Sequence, residues 1–247
     1  MKIALFSDIH ANLPALTAMF ESMDKQQPDA IYCLGDLVGY HVWPNEVIAK
    51  IRKRSIATLA GNHDLKPVNF PPISAKELAN SGAAYAYHII NENERQYLKT
   101  LPANIQLSFQ LKNGNFKMQL AHGSPNSVNE YILEETEAEY VLNILQENNA
   151  DILCVGHSHL PYQRFLQNAN GEFKLIINTG SAGKPKDKNL KGSYVLLQID
   201  ENTSLKNKEN FPKIDFIRFD YDVEKSAKAI LESPLPNDLS DRLKGGF

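Results

Sequence analysis

Three short apolar runs, Lys2 to Ser7, Ile31 to Leu34 and Ile56 to Ala60, alternate with helix-like stretches, and each ends abruptly in polar residues. Runs so brief and so continuously apolar read as strands buried on both faces. Between the first two, Asn12 is placed to cap a helix, with Pro14 in its first turn and Leu13, Leu16, Phe20 and Met23 along one face. A second helix is expected from about Asn45 to Arg54. The order strand, helix, strand, helix, strand predicts an open α/β sheet, whose sites form at the C-terminal ends of its strands.

Those ends, and two later ones, carry an unusual set of groups: Asp8-Ile9-His10, Gly35-Asp36, Gly61-Asn62-His63-Asp64, Ala121-His122-Gly123 and Gly156-His157-Ser158-His159. The intervening sequence breaks the pattern between Lys66 and Pro102, where Pro67, Pro71 and Pro72 lead into helical stretches; residues 66–103 read as a helical flap. Lys112-Asn113-Gly114-Asn115 marks a hairpin. A helix from about Thr136 to Asn148 precedes the buried run Ile152 to Val155. The remainder is mostly strand until a terminal helix near Val223 and a polar tail, residues 223–247 together. Two batches of strands suggest two facing sheets covered by helices, in a single domain spanning 1–247.

The formal net charge of −3 offers no basic excess for the DNA backbone or an anionic membrane surface, so neither a nucleic acid polymer nor a membrane is an expected partner. No apolar run approaches the ~20 residues of a membrane span, and the expected location is cytoplasmic. Cys33 and Cys154 lie inside apolar runs and are expected as free, buried thiols. Oligomeric state is not legible.

Carboxylate, amide oxygen and imidazole are ligands for divalent Mn, Fe, Zn, Co or Ni, and the absence of thiolate argues against a structural zinc site. A lone buried histidine is usually a hydrogen-bonded core residue. Five of the seven histidines standing at strand ends do not fit that reading. The groups are too many for one ion and suit two, held ~3.5–4 Å apart as in two-metal phosphoryl transfer. Asp8 with His10, and His157 with His159, share an i, i+2 spacing that in an extended segment turns both side chains to one side.

Asp-x-His, Gly-Asp, Gly-Asn-His-Asp, a lone His and Gly-His-x-His, in that order, resemble the calcineurin-like metallophosphoesterases. Gly35 to Tyr40, Asn178-Thr179-Gly180-Ser181 and Asp220 to Glu224 resemble their small bacterial and archaeal phosphodiesterase branch. The resemblance implies a four-layer αββα sandwich of two facing mixed sheets. It implies that Asp8, His10, Asp36 and His159 hold one metal, with Asp36 bridging to a second held by Asn62, His122 and His157. His63 then binds neither ion and protonates the leaving oxygen after in-line attack by a hydroxide between them. Two divalent ions outweigh the two aspartates and one hydroxide, leaving a positive site that attracts an anionic ester. Manganese is the expected metal, with Fe, Zn, Ni or Co as alternatives, and the expected partner is a small phosphate-ester substrate. Asn12 and Lys186 are the expected substrate contacts, Lys186 at a position often basic in relatives; with Lys184, Lys188 and Lys191 it could equally belong to a solvated charged loop.

Ala11 and Thr179 replace a usual Gly and Pro of the family's motifs, and Gly39-Tyr40-His41 stands where protein phosphatases and symmetrical dinucleoside tetraphosphate hydrolases carry an Arg. A small or nucleotide-like phosphodiester is therefore the expected substrate, with asymmetrical hydrolysis of dinucleoside polyphosphates as one alternative. Another is a catalytically silent scaffold of the same fold, against which stands the retention of His63 and all seven ligand positions. A DNA nuclease would need a basic surface that the composition lacks. Asp64 has no assigned role.

Overall fold

The computed structural model describes residues 1–247, apart from the side chain of Lys208. β1 (Lys2–Phe6), α1 (Leu13–Gln26), β2 (Ala30–Cys33), α2 (Pro44–Lys53) and β3 (Ala57–Thr58) follow in the expected order. Asn12 caps α1 as its position suggested. β3 is shorter than its apolar run because Ala60 N–H leaves the sheet to donate to the Pro102 carbonyl at 2.8 Å.

Residues 66–103 are helical but broken into the short pieces α3 (Ala75–Leu78), α4 (Tyr85–His88) and α5 (Glu92–Lys99). Then come β4 (Asn104–Leu111), β5 (Gly114–Ala121), α6 (Ala138–Glu147), β6 (Ile152–Val155), β7 (Tyr162–Gln167), β8 (Phe173–Asn178), β9 (Gly192–Gln198) and β10 (Lys213–Phe219). α7 (Val223–Leu231) is followed not by a polar tail but by a further helix, α8 (Asp238–Gly245). Leu235, Leu239 and Leu243 recur every fourth residue, and that stripe packs with Ala227 and Ile230 of α7 against Ala86 of α4.

Two five-stranded mixed sheets result, ordered β10-β9-β1-β2-β3 and β4-β5-β6-β8-β7. The alternation of side chains along each strand builds the layers. Ile3 and Leu5 of β1 face Ile152 and Cys154 of β6 and Ile177 of β8 between the sheets. Ala4 and Phe6 turn the other way, onto Leu16 and Met19 of α1 and Ile48 of α2. Leu153 and Val155 meet Val141, Ile144 and Leu145 of α6 on the far side. The order helix, sheet, sheet, helix is the expected four-layer sandwich, and it explains the unbroken apolar runs, since β1 and β6 are covered on both faces. Cys33 and Cys154 are free and buried. No helix among the described residues is long and apolar enough to cross a membrane.

The parallel strands β1, β2 and β3 of one sheet and β5 and β6 of the other bring their C-terminal ends to one edge of the sandwich. The His157 N–H donates to Asp8 Oδ2 at 3.0 Å across the gap between sheets, so loops from both layers close on one another there.

Candidate metal centre

The backbone turns sharply where the strands end. Asp8, His10, Asp36, His157 and His159 all have positive φ, between 51° and 63°. Non-glycine residues are held in this region at a cost of ~1–2 kcal/mol each, and such strain clusters at functional sites. The extended conformation expected for the two i, i+2 pairs is therefore absent. Left-handed turns aim these side chains inward instead. Glycine is required beside them: a Cβ on Gly61 would lie 2.1 Å from Asp36 Oδ1, and one on Gly35, whose φ is +87°, would lie 2.4 Å from Gly61 N.

Asp8, His10 and His159 present ligand atoms within 4.8 Å of one another, as do Asp36, His122 and His157; His63 forms a third such group with His10 and Asp36. Asp36 Oδ2 stands between the first two groups, 3.6 Å from His10 Nε2 and 3.3 Å from His122 Nε2. Asn62 Oδ1 lies 3.2 Å from His122 Nε2. The structure thus brings together all eight residues singled out at the strand ends.

The second nitrogen of each imidazole separates their roles. His10 Nδ1–H donates to the Val38 carbonyl at 3.0 Å, His122 Nδ1–H to Leu34 at 2.8 Å, His159 Nδ1–H to Lys184 at 2.5 Å and His157 Nε2–H to Asn129 at 3.2 Å. A carbonyl only accepts, so in each neutral ring the opposite nitrogen carries a lone pair. His10 Nε2 and His159 Nε2 then face each other at 3.1 Å, with Asp8 Oδ1 3.2 Å from His159 Nε2. Asp8 Oδ1 is buried with no hydrogen-bond donor, while its Oδ2 is taken by Ser7 and His157. Converging lone pairs without a proton between them are the arrangement a cation satisfies, and these residues fit divalent metal ions.

The local electrostatics agree. Burial pushes the Asp8 carboxyl up, but His159, His10 and His122 together hold it well below the usual carboxylate range. Asp36 is likewise drawn down against its burial by His122, His10 and His63. Burial lowers His159 to about 4, against the pull of Asp8, and lowers His63 to about 3. In the absence of metal His122 goes the other way, raised against burial to about 10 by Asp36 and Asp8.

Asp64, which the sequence left without a role, is buried and accepts four backbone N–H groups: Asp36 at 2.8 Å, Leu37 at 2.9 Å, Val38 at 3.3 Å and Gly61 at 2.9 Å. It ties the Asp36 loop to the Asn62 loop. No sequence signal marked this, because three of its four partners are main-chain atoms of a distant segment.

Asn12, expected at the substrate, has its amide committed within the fold. It is fully buried. Its Oδ1 accepts Ala15 N–H at 3.2 Å and the Ser226 hydroxyl at 2.8 Å, and its Nδ2 donates to Gly183 at 2.7 Å. The fold occupies this amide. Lys186 is half-buried beside the centre: burial pushes its ammonium down, and Asp8 and Asp36 draw it up. Lys184 is not part of a solvated loop; it is buried, with Nζ 5.1 Å from the Tyr40 ring centre. The sequence also gave no sign of Tyr87, whose hydroxyl reaches His63, or of Tyr131, whose exposed ring stacks on His157 with centroids 4.2 Å apart.

A family model described as the calcineurin-like phosphoesterase superfamily domain matches residues 1–202. An uncharacterized protein of Methanocaldococcus jannaschii is 29% identical over 255 residues, covering 98% of this chain and 96% of the relative. The crystal structure of a metallophosphoesterase from Sphaerobacter thermophilus superposes with a TM-score of 0.77 at 26% identity, covering 100% of this chain and 99% of that one. A hypothetical protein from Pyrococcus horikoshii shares the fold, with a TM-score of 0.77 at 22% identity over 100% and 98% of the two chains.

Proposed function

Because this chain belongs to the calcineurin-like phosphoesterase superfamily, we propose that its metal-dependent hydrolase site is a two-metal phosphodiesterase centre acting on a small or nucleotide-like ester. The observation that carries the reading is the position of Asp36 Oδ2 between His10 and His122, one from each group of converging ligand atoms. Asp8, His10 and His159 would hold one ion and Asn62, His122 and His157 the other, with Asp36 shared. Divalent ions held there, Mn²⁺ first among them, would supply charge neutralisation at the phosphoryl group and acidify water at neutral pH.

The chain's own residues do the rest. Carbonyl-tethered imidazoles and the clamp made by Asp64 keep the ligand atoms from relaxing apart. His63, whose Nδ1 is engaged by a hydroxyl rather than a carbonyl, gives a proton to the leaving oxygen. Half-buried Lys186 attracts the anionic ester, and the open face of Tyr131 is suited to an aromatic base on the substrate. A small substrate also accords with the net charge of −3.

The test is reconstitution of purified protein with Mn²⁺, Fe²⁺, Zn²⁺, Co²⁺ and Ni²⁺ against monoesters, diesters and dinucleoside polyphosphates. Diester cleavage dependent on metal upholds the reading. Metal binding without cleavage of any ester would place the chain among scaffolds of this fold.

A further inference from the structure

His63 differs from the four carbonyl-tethered imidazoles in the partner of its second nitrogen. Its Nδ1 lies 2.6 Å from the hydroxyl of Tyr87 in α4. A carbonyl suits a ring that must keep one tautomer, because it only accepts. A hydroxyl can accept from a protonated Nδ1 or donate to a bare one, so it keeps hold of a ring whose protonation changes. Burial pushes the Tyr87 phenol well above its ordinary range, which keeps the hydroxyl proton in place for either arrangement. Nε2 accepts from the Lys66 ammonium at the longer distance of 3.3 Å, so in the resting ring Nδ1 carries the proton and donates it to the Tyr87 hydroxyl.

The mount for this hydroxyl is braced by several contacts. The Tyr87 ring stacks on Phe70 at 5.2 Å. The buried Arg95 guanidinium donates to the carbonyls of Pro67, Tyr87 and Ile90, binding both ends of the insertion to α4. Asn45 of α2 donates to the Ile89 carbonyl and accepts from Asn91 N–H, both at 2.9 Å, which fastens the insertion to the sandwich. Gly39 lies beside the same nitrogen and leaves just the space the ring and the hydroxyl need: a Cβ there would lie 2.4 Å from Nδ1 and 3.3 Å from the Tyr87 hydroxyl.

We propose that Tyr87 is the positioning residue for His63, holding the ring through Nδ1 so that Nε2 faces the leaving oxygen. This rests on the hydrolase reading above. The ring that acts is the doubly protonated one, Nδ1–H donating to the Tyr87 hydroxyl: as water's oxygen bonds to phosphorus and the ester P–O bond breaks, its Nε2 proton passes to the departing alkoxide, leaving the neutral Nδ1–H ring. The proton released by the attacking water returns to His63 through solvent, and Tyr87 stays hydrogen-bonded throughout. The inserted helices are thereby part of the catalytic apparatus, since they deliver the group that orients the proton donor.

Tyr87→Phe removes the hydroxyl and keeps the ring on Phe70. In the metal-free full-length protein, its ¹⁵N spectrum should show the Nδ1 resonance of His63 displaced and those of His10, His122 and His159 in place; an unmoved Nδ1 overturns the proposal. In the Mn²⁺-loaded protein, kcat should fall about 10- to 100-fold on a dialkyl phosphate, whose leaving group needs a proton, and no more than about twofold on a bis(p-nitrophenyl) ester, whose leaving group does not. Tyr87→Phe should add no further loss to His63→Ala. Equal losses on both esters, or full additivity with His63→Ala, overturn it. Wild-type protein that cleaves neither ester defeats the hydrolase reading, and the Nδ1 resonance still decides whether Tyr87 holds the ring.

Discussion

The carboxylate of Asp64 accepts the main-chain N–H of Asp36 at 2.8 Å, joining two loops 28 residues apart. Each of its oxygens serves two N–H groups, Oδ2 those of Asp36 and Gly61, Oδ1 those of Leu37 and Val38. Asp64→Asn turns one of those oxygens into an NH₂ facing two donors. Leaving two buried N–H groups unsatisfied should cost about 2–6 kcal/mol. Urea denaturation should show that loss, and metal analysis should show reduced occupancy; a fully stable, fully loaded variant would defeat the clamp.

His63→Ala should leave metal content near that of the wild type, because the candidate ligand atoms have other owners, while turnover falls by about 10² to 10⁴. Elemental analysis alongside kinetics separates the outcomes. Loss of metal would make His63 a ligand.

Metal binding should release protons. In the metal-free protein His122 is raised to about 10, above its ordinary 6.5, by Asp36 and Asp8. A group raised in this way stabilises the fold fully below pH 6.5 and loses that contribution as pH rises through its folded value. Chelator-treated protein should therefore lose stability between about pH 6.5 and 10. Divalent ions, which compete with that proton, should bind more tightly over the same range. Calorimetric titration in buffers of different ionisation enthalpy checks this; no proton release would contradict it.

Asp36→Asn should disturb both groups of ligand atoms at once, since Oδ2 stands beside His10 and His122. Metal content should fall for both ions and thermal stabilisation by added Mn²⁺ should vanish. Loss of one ion alone would show that Asp36 is not shared.

Tyr131→Ala should raise KM roughly tenfold for esters bearing a base, from lost stacking of ~1–3 kcal/mol, with little change for simple alkyl esters. Equal effects on both classes would remove Tyr131 from substrate recognition.

Much of the fold was legible because β1 and β6 are covered on both faces and so read as unbroken apolar runs, each closed by polar residues. α1 announced itself through Asn12 and Pro14. α8 was missed because its apolar face is only a stripe of leucines in a charged segment, which becomes buried when α4 and α7 cover it. Asn12 misled in another way: a helix cap and a polar group near a site look alike until its amide is seen bonded to Gly183 and Ser226.

The sequence by itself determined which groups stand at the strand ends, in what order, and hence the sandwich and the kind of chemistry its edge could hold. That information is local: residue type, short spacing and apolar periodicity. Only the tertiary structure decided that left-handed turns rather than extended segments aim Asp8, His10, His157 and His159 inward. It alone decided that Asp64 binds the loops and that Tyr87 reaches His63. Those relationships join main-chain groups or side chains from distant segments, and no spacing along the chain encodes which carbonyl, N–H or hydroxyl folding will bring to a given ring or carboxylate.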